Sequence, residues 1–295
     1  MRTSALAAFP IVAMLMLTAV PAIAQEQPAK PTVVPIWPNG APGFAARRNQ
    51  PEVAKDYWVR NVNNPSLTIF RPARQNGLAI IVVPGGAHKL IVWTTEGVNV
   101  AHALNRYGVT AFVLKYRLAN EEGSPYKIAD EVLDLRRSIR WVRAHATQYG
   151  IDPRRIGIMG FSAGGELVSL VADNSPASKS LLVDKIDGWS DRPDFQVLIF
   201  PGPAGIPAND VAHAPAAFIA AGSLDECCAA PAVTLYEQLR TSGRSAELHM
   251  YAGAGHAFNL DESNRISIIH WPDRLADWLS DEGLLDSHAE RSRAL

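Results

Sequence analysis

Cysteine is almost missing from this sequence: there are two in 295 residues, adjacent at Cys227-Cys228. So few exclude a fold stapled by disulfides. Adjacent Cα atoms lie only ~3.8 Å apart, short of the usual disulfide span of ~4.4–6.8 Å, so two packed thiols are the expected arrangement. An excess of either charge is also lacking. Lys and Arg number 28 against 29 Asp and Glu, which leaves no electrostatic footprint for nucleic acid. With 19% charged and 47% apolar residues, the chain carries too much apolar material for a disordered protein. It can bury a sizeable core.

Long apolar runs are scarce, and the one that stands out opens the chain. Arg2 is the only charged residue before Glu26, and residues 5–20 are apolar up to Pro21-Ala22-Ile23-Ala24-Gln25. A basic start, an apolar middle and a small-x-small end read as a secretory signal cut after Ala24. Pro10 interrupts the run and no basic cluster follows it, which weighs against a retained anchor. No cysteine follows the cut, which weighs against lipid attachment. The expectation is a periplasmic or secreted protein with no membrane attachment after cleavage. Residues 25–35, rich in Pro and Gln, read as an extended leader.

Apolar runs and amphipathic segments then alternate. Residues 78–83, 109–114, 156–159, 197–200 and 217–221 are short continuous apolar runs, and 247–251 is a weaker one. Such runs suit strands covered on both faces. Ile128, Val132, Leu135, Ile139 and Val142 follow a 4, 3, 4, 3 spacing, one face of a helix. Tyr149-Gly150 stops it. Further helical patterns fall at Leu167, Leu170 and Val171, over 233–239, and at Trp271, Leu275, Trp278 and Leu279, with Pro272 in a first turn. Alternation of this kind predicts an α/β fold with a mainly parallel sheet flanked by helices, in a single domain over 25–295.

Gly160-Phe161-Ser162-Ala163-Gly164 fits G-x-S-x-G between a predicted strand and a predicted helix. That position lifts a serine oxygen above the strand ends, with small neighbours to permit the turn and a helix N-terminus near developing negative charge. A serine needs a base. Of eight histidines, His102 and His145 fall in helical patterns, His249 in a strand and His270 beside the last helix. His213 and His288 have no supporting context. His256, in Gly253-Ala254-Gly255-His256-Ala257-Phe258, follows a late strand on a loop, as a base should. Asp225, in Gly222-Ser223-Leu224-Asp225-Glu226, stands between the two in chain order and would orient the imidazole. Glu226 competes for that role, and helix capping is the structural alternative for Asp225. Oxyanion donors are expected at the N–H groups of Ala163 and of Gly86 and Ala87 in Pro84-Gly85-Gly86-Ala87-His88. His88, Lys89 and Trp93 follow that loop as candidate substrate contacts.

With these residues in hand the chain resembles the α/β-hydrolase acetylesterases that include acetylxylan esterases and the bifunctional feruloyl and acetyl xylan esterases. The matching pieces are Trp37-Pro-Asn-Gly-Ala-Pro-Gly43, Val83-Pro-Gly-Gly86, Glu96-Gly97 with Val100-Ala101, and Leu114-Lys-Tyr-Arg-Leu118. Arg143-Ala-His-Ala146, Gly160 to Gly165, Arg192-Pro-Asp-Phe195, Glu247-Leu-His249 and Gly255-His256 complete an ordered set. The resemblance implies a cofactor-free, metal-free esterase acting on acetylated or otherwise acylated sugars, with Ser162, Asp225 and His256 as triad and Gly86, Ala87 and Ala163 as oxyanion donors. The family usually carries a third glycine and an aromatic residue at the positions of Ala87 and His88. It usually carries Asp-Asp and a Val-Pro pair near the triad acid, and His-Gly-Phe where His256-Ala257-Phe258 stands. Two other readings share the fold. A prolyl-oligopeptidase-type serine peptidase has the same triad order, but its propeller has no room in 295 residues. A non-catalytic binding protein would be expected to lack a triad member.

Overall fold

The computed structural model describes residues 31–174, 184–260 and 264–285. The signal expected over residues 1–24 lies outside the described residues. The strands are β1 (Thr32–Pro35), β2 (Val53–Lys55), β3 (Trp58–Arg60), β4 (Ser66–Phe70), β5 (Ala79–Val83), β6 (Ile91–Val92), β7 (Thr110–Lys115), β8 (Ile156–Phe161), β9 (Phe195–Ile199), β10 (Ala216–Gly222) and β11 (Ala246–Tyr251). The α-helices are α1 (Asn99–Asn105), α2 (Ile128–Ala144), α3 (Ala163–Ala172), α4 (Ala229–Thr241), α5 (Ile266–Ile269) and α6 (Trp271–Asp281).

Eight strands form one sheet in the order β1-β4-β7-β5-β8-β9-β10-β11. β1, β4 and β7 pair antiparallel, and from β7 onward every pair is parallel. The apolar runs form strands because both sheet faces are covered. In β5 the residues alternate: Ala79, Ile81 and Val83 join one core, Ile80 and Val82 the other. The first core takes Leu135, Ile139 and Val142 of α2, Leu167 and Val171 of α3, and Leu235 and Leu239 of α4. The second takes Val100 and Leu104 of α1 and Trp271, Leu275 and Trp278 of α6. Period-2 alternation in a wholly apolar strand is invisible in its letters, since each side chain is buried.

Part of the expected leader is corrected. Thr32–Pro35 is an edge strand, with Thr32 opposite Ile69 and Pro35 opposite Ser66. A proline is tolerated there because the outer side of an edge strand needs no ladder donor. β4, α1 and the small β2-β3-β6 sheet were not anticipated either; the small sheet's strands are two or three residues long.

Charge inside the fold is concentrated on α2. Arg136, Arg137, Arg140 and Arg143 point at Asp184, Asp187, Asp191 and Asp194, whose spacing of three, four and three matches the helix face. Asp134 lies at the centre of a second cluster. It holds the buried Arg117 guanidinium at 2.8 and 2.9 Å and accepts the Trp37 indole N–H at 2.8 Å. Trp37 in turn lies under Arg137, 4.6 Å from guanidinium to ring centre. The Trp37-to-Gly43 motif therefore docks the N-terminal segment onto α2.

Candidate active site

All strands from β5 to β11 in the parallel part of the sheet end at one edge, and the loops leaving that edge carry the site. Ser162 joins β8 to α3 with φ +49° and ψ −118°. A serine in this region of φ is strained, and the packing around it holds it there. A Cβ on Gly160 would sit 2.2 Å from the Gly164 carbonyl oxygen, and one on Gly164 would sit 2.0 Å from that of Val83. The two glycines let helix, strand and neighbouring strand close to backbone contact. The Ser162 N–H donates to Ile199 at 3.1 Å, and its carbonyl accepts from Glu166 N and Gly202 N.

His256 reaches this serine from the loop after β11. Its Nε2 lies 2.9 Å from Ser162 Oγ and its Nδ1 2.8 Å from Asp225 Oδ2. The imidazole is about two-fifths exposed, whereas the Asp225 side chain is fully buried. Asp225 follows β10. Its other oxygen accepts the N–H groups of Cys227 and Cys228, each at 3.1 Å. The carboxylate therefore fixes the turn that leads into α4 while it holds the imidazole; it bonds no N–H group within the helix, so it orients His256 rather than capping α4. Glu226 is exposed, and the Nδ1 partner of the imidazole is Asp225. Phe200, which the sequence did not mark, packs edge-to-face on the His256 ring at 5.0 Å between centroids. Its own φ is +38°.

Ser162 opens α3, so Ala163 presents a first-turn N–H with no helical acceptor. The facing loop, Pro84 to His88, is clamped from behind. Glu96, buried, accepts the Gly85 N–H at 2.6 Å. The Tyr116 hydroxyl donates to the Pro84 carbonyl at 2.7 Å. Ala87 and His88 adopt φ of +56° and +60°, and Ala257 beside the base +60°. Ala87 and Ala257 are the two positions where the family's usual glycine is replaced, and their backbone conformation explains that preference.

His88 is corrected as a substrate contact. It is only 6% exposed, and both ring nitrogens are engaged: Nδ1 with Glu131 at 2.5 Å and Nε2 with Glu166 at 2.7 Å. Glu131 also accepts Ala119 N–H, and Glu166 accepts Ala204 N–H. His88 thus ties the loop facing the serine to α2 and α3. Burial alone would lower its pKa, but hydrogen bonds and charge from the two glutamates outweigh this and push it up to about 9. A folded pKa above the unfolded value stabilises fully below pH ~6.5 and stops doing so as pH passes ~9. Unfolding free energy at pH 10 is therefore expected to lie a few kcal/mol below that at pH 6.5. His88→Gln should flatten that difference in urea titrations at the two pH values. An equal slope in both proteins would show that other groups set it.

Lys89 stays exposed. Trp93 is half-buried and takes the Lys115 ammonium 5.0 Å from its ring centre, so its ring is engaged in packing. Cys227 and Cys228 are joined by a disulfide, against the expectation of two thiols; their local backbone accommodates the bridge with Cα atoms 3.7 Å apart. The glutamates 96, 131 and 166 were the functional surroundings that the sequence reading missed. Glu96 lay within Glu96-Gly97 and Glu166 directly after Gly160 to Gly165, both already singled out, while Glu131 lay on the predicted helix beside Val132.

Comparisons with known proteins agree with this architecture. The BD-FAE family model matches residues 67–193. An acetylxylan esterase of Xylanibacter ruminicola is 34% identical over 154 residues, covering 52% of this chain and 28% of that protein. Endo-1,4-beta-xylanase B of Butyrivibrio fibrisolvens is 30% identical over 129 residues, covering 41% and 19%. The chain thus spans less than a third of either relative. Among solved structures, the acetyl ester-xyloside bifunctional hydrolase of Caldicellulosiruptor lactoaceticus superposes with a TM-score of 0.65 at 27% identity, over 86% of this chain and 97% of that one. A Thermogutta terrifontis esterase, in its propionate-bound form, shares the fold with a TM-score of 0.67 at 21% identity, over 81% and 96%. With the strand order and the serine turn, these likenesses give the chain an α/β-hydrolase-like fold that is similar, over residues 67–193, to the BD-FAE family and, over about half of the chain, to an acetylxylan esterase.

Proposed function

We propose that this protein is a serine esterase that removes acetyl or similar short acyl groups from a carbohydrate of the xylan type. The observation that carries this reading is the unbroken line Asp225–His256–Ser162, with spacings of 2.8 and 2.9 Å. Ser162 Oγ attacks the ester carbonyl as Nε2 of His256 takes its proton. Asp225 keeps the other proton on Nδ1 and stabilises the imidazolium that forms. The N–H groups of Ala163 and of Gly86 and Ala87 receive the oxyanion, each donor worth ~3–4 kcal/mol in comparable sites. The imidazolium then protonates the leaving sugar hydroxyl, and water repeats the sequence on the acyl-serine. No step calls for a metal or a cofactor.

The sugar portion of the proposal is supported by likeness to an acetylxylan esterase and to an acetyl ester-xyloside hydrolase. An exported location, periplasmic or secreted, is part of the same proposal and is supported by the opening residues alone. The test is release of acetate from acetylated xylo-oligosaccharides beside feruloylated ones, p-nitrophenyl acetate and a peptide anilide. Acetate from the sugars and the aryl ester, with an inert anilide, is the expected outcome. Anilide cleavage at a comparable rate would favour the peptidase, and sugar binding without any turnover would favour a binding protein.

A further inference from the structure

Two donor atoms beside the triad, the sulfurs of Cys227 and Cys228, play no part in acyl transfer. The Sγ atoms of Cys227 and Cys228, a carboxylate oxygen of Asp225 and a nitrogen of His256 all lie within 4.8 Å of one another. Two sulfurs, one imidazole and one carboxylate form a donor set suited to a borderline or soft divalent cation, for which thiolate is the strongest protein ligand. As a disulfide the sulfurs bind such ions poorly, because the thiolate is the ligand form. Cys227 is exposed and Cys228 is buried, so a reductant has access to the bond from one side. The pair opens the 13-residue helix α4, whose positive end favours thiolates over thiols.

We propose that reduction of the Cys227–Cys228 bond creates a site for a thiophilic divalent cation, held by both sulfurs with His256 and Asp225, and that its occupation silences Ser162. The proposal rests on the hydrolase reading of Ser162 and His256. A phosphine cleaves the S–S bond, becomes the phosphine oxide by taking an oxygen from water, and leaves two thiols. Binding the cation then releases two protons, one from each thiol. The ion takes His256 at Nδ1, the nitrogen that faces Asp225, and the ring proton moves to Nε2. A neutral imidazole protonated at Nε2 donates to Ser162 Oγ and cannot accept its proton. Thiolates and cation therefore use the same imidazole that the reaction needs, and the two occupations exclude each other. The ligand atoms need to shift by about an ångström to reach metal–sulfur distances of ~2.3 Å. The exposed imidazole and the loop that carries Cys227 can supply this shift.

The experiment uses the whole protein, with and without a phosphine reductant, titrated anaerobically with Cd²⁺. Two signals are followed: the ultraviolet thiolate-to-cadmium absorption, and p-nitrophenyl acetate turnover. The expected result is one equivalent of absorption in the reduced protein only, with turnover falling about tenfold or more and returning on addition of a chelator. Cys227→Ala/Cys228→Ala, compared with its own rate before Cd²⁺, should show neither signal. Inhibition that is equal with and without reductant, or absorption without inhibition, would overturn the proposal. If the untreated protein hydrolyses no ester, the hydrolase reading fails, and the site is then judged by affinity alone. In that case His256→Ala should weaken Cd²⁺ binding about tenfold, and unchanged affinity would overturn it.

Discussion

Ser162→Ala is expected to lower p-nitrophenyl acetate turnover by on the order of 10⁶-fold, with the fold and melting temperature retained. His256→Ala should fall to about the same level, and the double variant no further, because the serine and its base act as one unit. Asp225→Asn should cost on the order of 10⁴ in kcat, since an amide holds the imidazole in the wrong tautomer. Glu226→Gln is expected to leave turnover essentially unchanged, because Glu226 points into solvent while Asp225 holds His256 at 2.8 Å. Steady-state and single-turnover kinetics on the four single variants and the double variant check this set. A large loss in Glu226→Gln with little loss in Asp225→Asn would reassign the acid. Additive losses in Ser162→Ala and His256→Ala would break the unit.

The second large effect concerns stability, and it lies away from the serine. Asp134→Ala is expected to destabilise the protein by ~3–5 kcal/mol, the range for stripping one partner from a buried ion pair. Arg117 and Asp134 are both 0% exposed, so removing the carboxylate leaves the buried guanidinium with the Asp130 carboxylate at 3.2 Å, the Asp130 carbonyl at 2.9 Å and the rings of Phe44 and Tyr126. The Trp37 indole loses its acceptor in the same step. For a chain of this size such a loss corresponds to a melting temperature lower by roughly 10 °C or more. Asp134→Asn retains an acceptor for the indole while removing the charge, and should fall between the two. Urea and thermal unfolding of the three proteins measure the order. A melting temperature within a degree or two of the parent for Asp134→Ala would show that Arg117 finds a replacement partner or leaves the core.

The serine turn was legible in the sequence because its chemistry and its geometry use the same letters. Glycines at 160 and 164 are required by backbone contact at 2.2 and 2.0 Å, and the serine between them is the nucleophile that contact creates. The base and acid were legible from order: each sits just after a late strand, and parallel strands bring such loops to one edge. His88 was misread because a histidine after an oxyanion loop has the same letters whether it faces substrate or two glutamates. Glu131 is 43 residues away and Glu166 is 78, and no local pattern links separations of that kind. β4, β1 and the small sheet escaped for a related reason: short strands take their stability from partners rather than from their own composition.

By itself, then, the order of residues determined an alternating α/β chain, a serine between strand and helix, and a histidine and an aspartate placed to serve it. Local backbone sterics and hydrophobic periodicity act over a few residues, and they are written in neighbouring letters. Tertiary structure alone decided that Asp225 rather than Glu226 faces the imidazole, that His88 is buried between carboxylates, and that two adjacent sulfurs share a pocket with the base. Those outcomes depend on which charges are removed from water together. Burial and electrostatic pairing are properties of the assembled sheet and helices, created only when distant segments meet.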